Sequence, residues 1–215
     1  MSGDTSRRQS TTSSSTRPNS KRLSIAPTVP RAPANLDPTC TIASHALLTG
    51  HYPISIFANV ILHPYAKIIS SEGPVDIGEG SMVWERAIVG IDGAGGLEAG
   101  SEVRATLLGK NVVIETGAIV EAGVVIGDGT LVEGLARIGE GSVIGNYCKI
   151  MTQMSLPPGS VLEDYTILYG YNQRRTDKTM GRNDLVKDIK AAAHLKQIKG
   201  LQQLIPSNLA KWSSA

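Results

Sequence analysis

Residues 108–162 read, in blocks of six, LGKNVV, IETGAI, VEAGVV, IGDGTL, VEGLAR, IGEGSV, IGNYCK, IMTQMS, LPPGSV and L. Every block opens on an aliphatic residue: Leu108, Ile114, Val120, Ile126, Val132, Ile138, Ile144, Ile150, Leu156 and Leu162. With Leu, Ile and Val at about a quarter of positions in ordinary chains, so long a run in one register has odds of about one in a million. Four places after the aliphatic residue stands a small or β-branched one: Val112, Ala118, Val124, Thr130, Ala136, Ser142 and Cys148. Directly after it there is often glycine, as at Gly109, Gly127, Gly139 and Gly145, where the chain bends and a Cβ would hinder it. Six residues therefore make one short strand and one corner.

Three strands close a triangular coil of about eighteen residues, so residues eighteen apart stack on one face. Leu108, Ile126, Ile144 and Leu162 form one column, Ile114, Val132 and Ile150 a second, and Val120, Ile138 and Leu156 the third. An α-helix is excluded, because six residues rotate it by about 600° and the aliphatic positions would drift around the cylinder. The fold expected is an all-β solenoid, a left-handed parallel β-helix of hexapeptide repeats, followed by a C-terminal α-helix.

Working outward, the repeat continues upstream through Ile42, Leu48, Ile56, Leu62, Ile68, Ile77, Val83 and Val89. It breaks at His51-Tyr52-Pro53 and Glu72-Gly73-Pro74, where turn chemistry predicts bulges at the corners. The glycine-rich run from Gly90 to Gly96 predicts a larger loop, 90–100, within a β-helix spanning 23–172. Residues 1–22 are rich in Ser and Thr without apolar periodicity and read as a disordered tail. Two serines there and just beyond, Ser10 and Ser24, follow basic residues and are candidate kinase sites. Downstream, 173–182 reads as a linker, 183–205 as a helix and 206–215 as a tail. The helix carries Leu185, Val186, Ile189, Ala193, Leu195 and Ile198, and this apolar face is expected to pack on the β-helix, the alternative being that it docks on a partner.

Twenty-one basic against nineteen acidic residues give a net charge of +2, too weak a field to point to nucleic acid. No stretch reaches the roughly 20 apolar residues of a spanning helix, so membrane insertion is not expected. Cys40 and Cys148 stand alone, without the spacing of a zinc site or a disulfide framework, which fits a reducing cytosol.

Hexapeptide β-helices include acyltransferases and, in one branch, gamma-class carbonic anhydrases, so chemistry has to be weighed. A three-histidine metal site needs imidazoles converging on one point with a position left open. This chain has only His45, His51, His63 and His194. The first three are spaced six and twelve apart and are expected on different faces of the triangle. His63, in Leu62-His63-Pro64, is the one candidate for a general base, and its setting is that of a corner residue. No catalytic residue, metal or cofactor is expected.

The segment Val60-Ile61-Leu62-His63-Pro64-Tyr65-Ala66-Lys67-Ile68-Ile69, with Ile77-Gly78-Glu79-Gly80, Val112-Val113-Ile114-Glu115 and Thr166-Ile167-Leu168-Tyr169-Gly170, resembles the dynactin subunit 6 family. The resemblance covers roughly residues 23 to 205. It departs from related β-helices at Thr49-Gly50-His51, where they tend to carry Arg-Gly-Asp. What it implies is a non-catalytic adaptor in the dynactin pointed-end subcomplex, beside a dynactin subunit 5-like β-helix protein and an actin-related protein. The implied setting is the cytoplasm and cytoskeleton, in dynein-driven microtubule transport. Trp84 and Trp212 are the exposed apolar candidates for partner binding, since indoles are enriched at interface centres.

Overall fold

The computed structural model describes Met1, Gly3, residues 30–92 and residues 103–213, and in it the repeat winds into a left-handed triangular coil. Ser10, Ser24, nearly all of the tail 1–22 and most of the expected 90–100 loop lie outside the described residues. The first nine strands are β1 (Ala34–Leu36), β2 (Thr41–Ile42), β3 (Leu47–Gly50), β4 (Ile54–Ile56), β5 (Ile61–Leu62), β6 (Lys67–Ser70), β7 (Val75–Ile77), β8 (Met82–Val83) and β9 (Ile88–Ile91). Gly90 and Ile91, expected in the loop, thus belong to a strand. Then come β10 (Thr106–Leu108), β11 (Val113–Ile114), β12 (Ile119–Glu121), β13 (Val125–Ile126), β14 (Leu131–Val132) and β15 (Arg137–Ile138). The last coils add β16 (Val143–Ile144), β17 (Lys149–Ile150), β18 (Ser155–Leu156), β19 (Val161–Leu162) and β20 (Thr166–Tyr169).

Every third strand stacks in parallel. Face 1 runs from β1 through β4 and β7 to β19, face 2 from β2 to β20, and face 3 from β3 to β18. All ten aliphatic residues of the 108–162 register point inward and are at most 3% exposed. The eight upstream positions are equally buried, and so are the small residues from Val112 to Cys148. Cys40 and Cys148 are free thiols, and burial pushes Cys40 up to about 11 and raises Cys148 as well.

The corners have one rule. The third residue after each of the ten aliphatics has a positive φ, between 51° and 69°. Five are glycines, and Asn111, Leu135, Tyr147, Gln153 and Tyr165 hold the same conformation, which costs an L-residue about 1–2 kcal/mol. The glycines directly after the aliphatics answer a different need. A Cβ on Gly127 would lie 2.7 Å from the backbone nitrogen of Asn146 in the next coil, and one on Gly109 would lie 2.4 Å from Asp128 Oδ1. Those side chains form a ladder along the edge: Lys110 N donates to Asp128 Oδ1 (2.7 Å), Asp128 N to Asn146 Oδ1 (2.8 Å) and Asn146 N to Asp164 Oδ1 (2.7 Å). Glycine makes room for the ladder.

The stretch read as a linker is structured. β21 (Gln173–Thr176) folds back antiparallel on β20 and covers the last edge of face 2. α1 (Lys178–Arg182) follows, its N-terminus capped by Asp177 accepting from Thr179 N and Met180 N. α2 (Asp184–Leu204) then runs back along the coil. Its 21 residues measure about 31 Å. The parallel strands of face 2, at about 4.8 Å apart, span about 29 Å, so helix and prism match in length. Three bonds mark the descent: Lys190 Nζ to Gly129 O (2.9 Å), His194 Nε2 to Gly80 O (2.7 Å) and Gln202 Nε2 to Thr39 O (3.1 Å).

The end of the chain, expected as a tail, closes the first coil. Asn208 N donates to Ile42 O (2.7 Å), and Ser207 bridges Ala43. α3 (Ala210–Ser213) sets Trp212 into the main core at 4% exposure, with Arg31 and Lys211 over its ring. Trp212 is therefore a plug rather than an exposed contact residue, because an open coil end leaves apolar side chains that need a cover.

Candidate functional site

The outward residues of face 2 stack as Thr41, Ile61, Met82, Val113, Leu131, Lys149 and Ile167. Ile61 and Met82 are fully buried under Ile198, with Leu201, Ile205, Trp84 and Val113 around them. The second half of α2 thus covers the early coils with aliphatic side chains. The first half does the reverse: Lys187 and Lys190 face the coil, while Leu185 and Ile189 are 65% and 61% exposed. The expected apolar face is rotated away along half the helix.

The cause is the surface beneath. Tyr147 and Tyr165 sit at the same corner of successive coils and stack at 5.9 Å. Lys187 Nζ lies 5.7 and 5.3 Å from the two ring centres, and Lys190 Nζ 5.8 Å from Tyr147, so the phenol faces attract the ammonium groups. Bonds donated to Asp184 and then to the Tyr165 oxygen hold Lys187 above the ordinary lysine pKa. Lys190 is exposed as a residue, but its ammonium donates to the Gly129 carbonyl, and burial there lowers its pKa. Between helix and coil lies a cavity of about 330 Å³, walled by Trp84, Val113, Leu131 and Tyr147 below and by Lys190 and His194 above. Sequence reading missed the tyrosine platform, although two tyrosines eighteen apart in a register of eighteen were its signal.

Trp84 is half-buried rather than exposed. It shares a corner column with His63, Glu115 and Glu133, one per coil, because His63 N bonds Val83 O and Trp84 N bonds Ile114 O. The His63 ring stacks on it at 4.3 Å, and His63 Nδ1–H donates to Glu85 Oε1 at 3.0 Å. His63 Nε2 and Trp84 Nε1 are both buried and unpartnered. Burial raises the Glu85 carboxyl, but bonds from its own backbone N–H and from His63 outweigh it and bring the pKa below the ordinary 4.5.

His45 and His63 share the corner between faces 2 and 3, contrary to the expectation of separate faces. The coil there takes 20 residues rather than eighteen (Thr41↔Ile61), so Tyr65 is the residue that stacks on His45, at 5.0 Å. The two imidazoles stay in different columns, and His51 lies at another corner. Among the described residues, no three His, Cys, Asp or Glu side chains are grouped to hold a metal ion. Among them, too, no helix is long and apolar enough to cross a membrane.

No family model matches the chain. Over 173 residues it is 28% identical to dynactin subunit 6 of Danio rerio, spanning 67% of this chain and 78% of that protein. A solved structure, a hexapeptide transferase family protein from Anaplasma phagocytophilum, superposes with a TM-score of 0.59 at 15% identity, covering 80% of this chain and 90% of that one. The fold is the hexapeptide-repeat left-handed β-helix. A transferase family protein has this fold, and a fold by itself does not assign a function.

Proposed function

We propose that this chain is a non-catalytic subunit of a dynactin complex, placed in the pointed-end subcomplex and supporting dynein-driven transport and cargo attachment. The observation that carries this reading is the 28% identity to the Danio rerio dynactin subunit across 173 residues. Its neighbours are a second, subunit 5-like β-helix and an actin-related protein, and its place is the cytoplasm, on the cytoskeleton. The surface suits packing in an assembly. On the outside of face 1, Leu107, Val125, Val143 and Val161 stand in one column, an apolar strip on a rigid wall. The test is a tagged pull-down from native cytosol at moderate salt, read by mass spectrometry. Co-recovery of a second β-helix subunit and an actin-related protein is expected; a homotrimer free of both would overturn the reading.

One observation favours a second reading, acyl transfer. The Glu85 carboxylate on His63 Nδ1 fixes the tautomer that leaves Nε2 as a base. Against it, His63 is 3% exposed under the Trp84 ring, and a substrate would have to displace the indole. Acetyl transfer from acetyl coenzyme A by the purified chain, abolished in His63→Ala, would replace the first reading with this one.

A further inference from the structure

We infer that the outward line of α2 is a docking site for an acidic amphipathic helix of a partner chain. The inference rests on the assembly reading above and adds to it a surface and the chemistry of what covers it.

The helix is apolar on opposite sides along its two halves. Toward the coil its residues run Lys187, Lys190, His194, Ile198 and Leu201, with Ile205 just past its end; toward solvent they run Leu185, Ile189, Ala192, Lys196 and Lys199. Turning the helix about its axis would bury Leu185 and Ile189, but it would also lift Ile198 from Ile61 and Met82 and take Lys187 and Lys190 off the tyrosine rings. The contacts with the coil therefore fix Leu185 and Ile189 in water along this line, while Leu195 and Leu204, also exposed, flank it. Spacings of four and three from Leu185 to Ala192 set them along one line, the pattern by which one helix reads another.

Charge selects the occupant. Residues 173–204 hold eight Lys and Arg against three Asp, a net +5, whereas the rest of the chain is net −3. Lys196 and Lys199 extend the apolar line, and Asp188 is the one acidic residue beside it. Residues 1–29 of this chain carry five basic residues and one acidic, so like charge disfavours them as the cover. A second copy would bring the same basic line and meet the same repulsion. A helix with two apolar residues one turn apart, flanked by Asp and Glu, satisfies both the stripe and the charge.

Two measurements on the full-length chain test this. A photo-crosslinking residue in place of Ile189, irradiated in native cytosol, is expected to attach to a partner segment that is net acidic with helical apolar spacing. In pull-downs, the double variant L185E/I189E is expected to lose that partner at least tenfold while keeping the others, and K196E/K199E to weaken its recovery severalfold and flatten its salt dependence. All four side chains face solvent, so circular dichroism and melting temperature should not move. Crosslinks confined to a second copy, to residues 1–29 or to a basic segment, no crosslink, or undiminished recovery by L185E/I189E would each overturn the site. If the wild-type chain recovers no partner, the assembly reading falls as well; equal recovery by wild type and variant removes the docking site alone.

Discussion

The early coils, 34–91, and the late coils, 106–168, share one inward pattern and differ almost everywhere else. In the late coils the offset between stacked strands is a uniform eighteen, as in Leu107↔Val125↔Val143↔Val161. In the early coils it is 20 and then 21, as in Ala34↔Ile54↔Val75. All the surplus falls at one corner, between faces 3 and 1: after β3, after β6 and, across residues outside the description, after β9. The strands feeding that corner are the four-residue ones, and the columns of Ile42, Ile56, Leu62 and Ile77 are undisturbed. A triangular coil thus tolerates insertion at one edge as long as its other two corners keep their turn.

The halves are also held differently. Late coils lean on repetition, each bonding its neighbour through the Asp128–Asn146–Asp164 ladder. Early coils borrow the chain's far end: Trp212 plugs the first coil and Ile198 seals Ile61 and Met82. Trp212→Ala should therefore have the largest effect, about 3–5 kcal/mol of destabilisation in guanidinium unfolding. A loss under about 1 kcal/mol would show that the first coil holds itself. Next comes Gly127→Ala in the late ladder, where the new methyl meets the Asn146 backbone; about 1–3 kcal/mol is expected by the same measurement. An undiminished stability there would mean that the coils can slide apart, and would remove repetition as the late half's source of strength.

How much was legible follows the same division. The late coils, their inward columns and their corners were open to counting, because eighteen residues return to one place and every side chain repeats its neighbour's environment. Early coils kept the aliphatic register but not the vertical one: His45 and His63, expected on separate faces, share one corner, and a 20-residue coil sets them in different columns of it. Trp212 was misjudged because its burial is made by residues more than 150 positions earlier in the chain, and no local pattern announces such a plug. The face of α2 was misjudged because periodicity finds an apolar stripe but not its direction; the tyrosines underneath decide that.

A smaller effect compares two carboxylates at the corner of faces 2 and 3. Glu85 in the early half and Glu133 in the late half both have lowered pKa values: burial raises each, and hydrogen bonds outweigh it, from the Glu85 backbone and His63 in one and from Lys149 and Thr152 in the other. A lowered folded-state pKa contributes stability above the ordinary carboxylate value near 4.5, and that stability is lost as pH falls through the folded value. Stability should therefore decline with acidification below about pH 4.5, and Glu85→Gln and Glu133→Gln should each flatten the decline by under 1 kcal/mol, since the Glu85 side chain is 41% exposed and Lys149, the partner of Glu133, 42%. A variant as acid-sensitive as wild type would show that its pair contributes nothing.

The smallest effect bears on what the halves have in common. Arg86 and Gln153 are exposed corner residues with φ of 58° and 61°, one in each half, and neither corner takes the insertions. Asparagine tolerates this left-handed conformation better than a long side chain does, because its short polar side chain can bond locally. Arg86→Asn and Gln153→Asn should thus each raise stability by a few tenths of a kcal/mol, at most about 1, in paired thermal and chemical melts. Equal gains would mean that the left-handed corner is one unit of structure repeated through both halves, with the extra residues merely hung on the third edge. A gain confined to Gln153→Asn would mean instead that the early corners are strained or relieved by their insertions, and that the two halves differ in the turn itself.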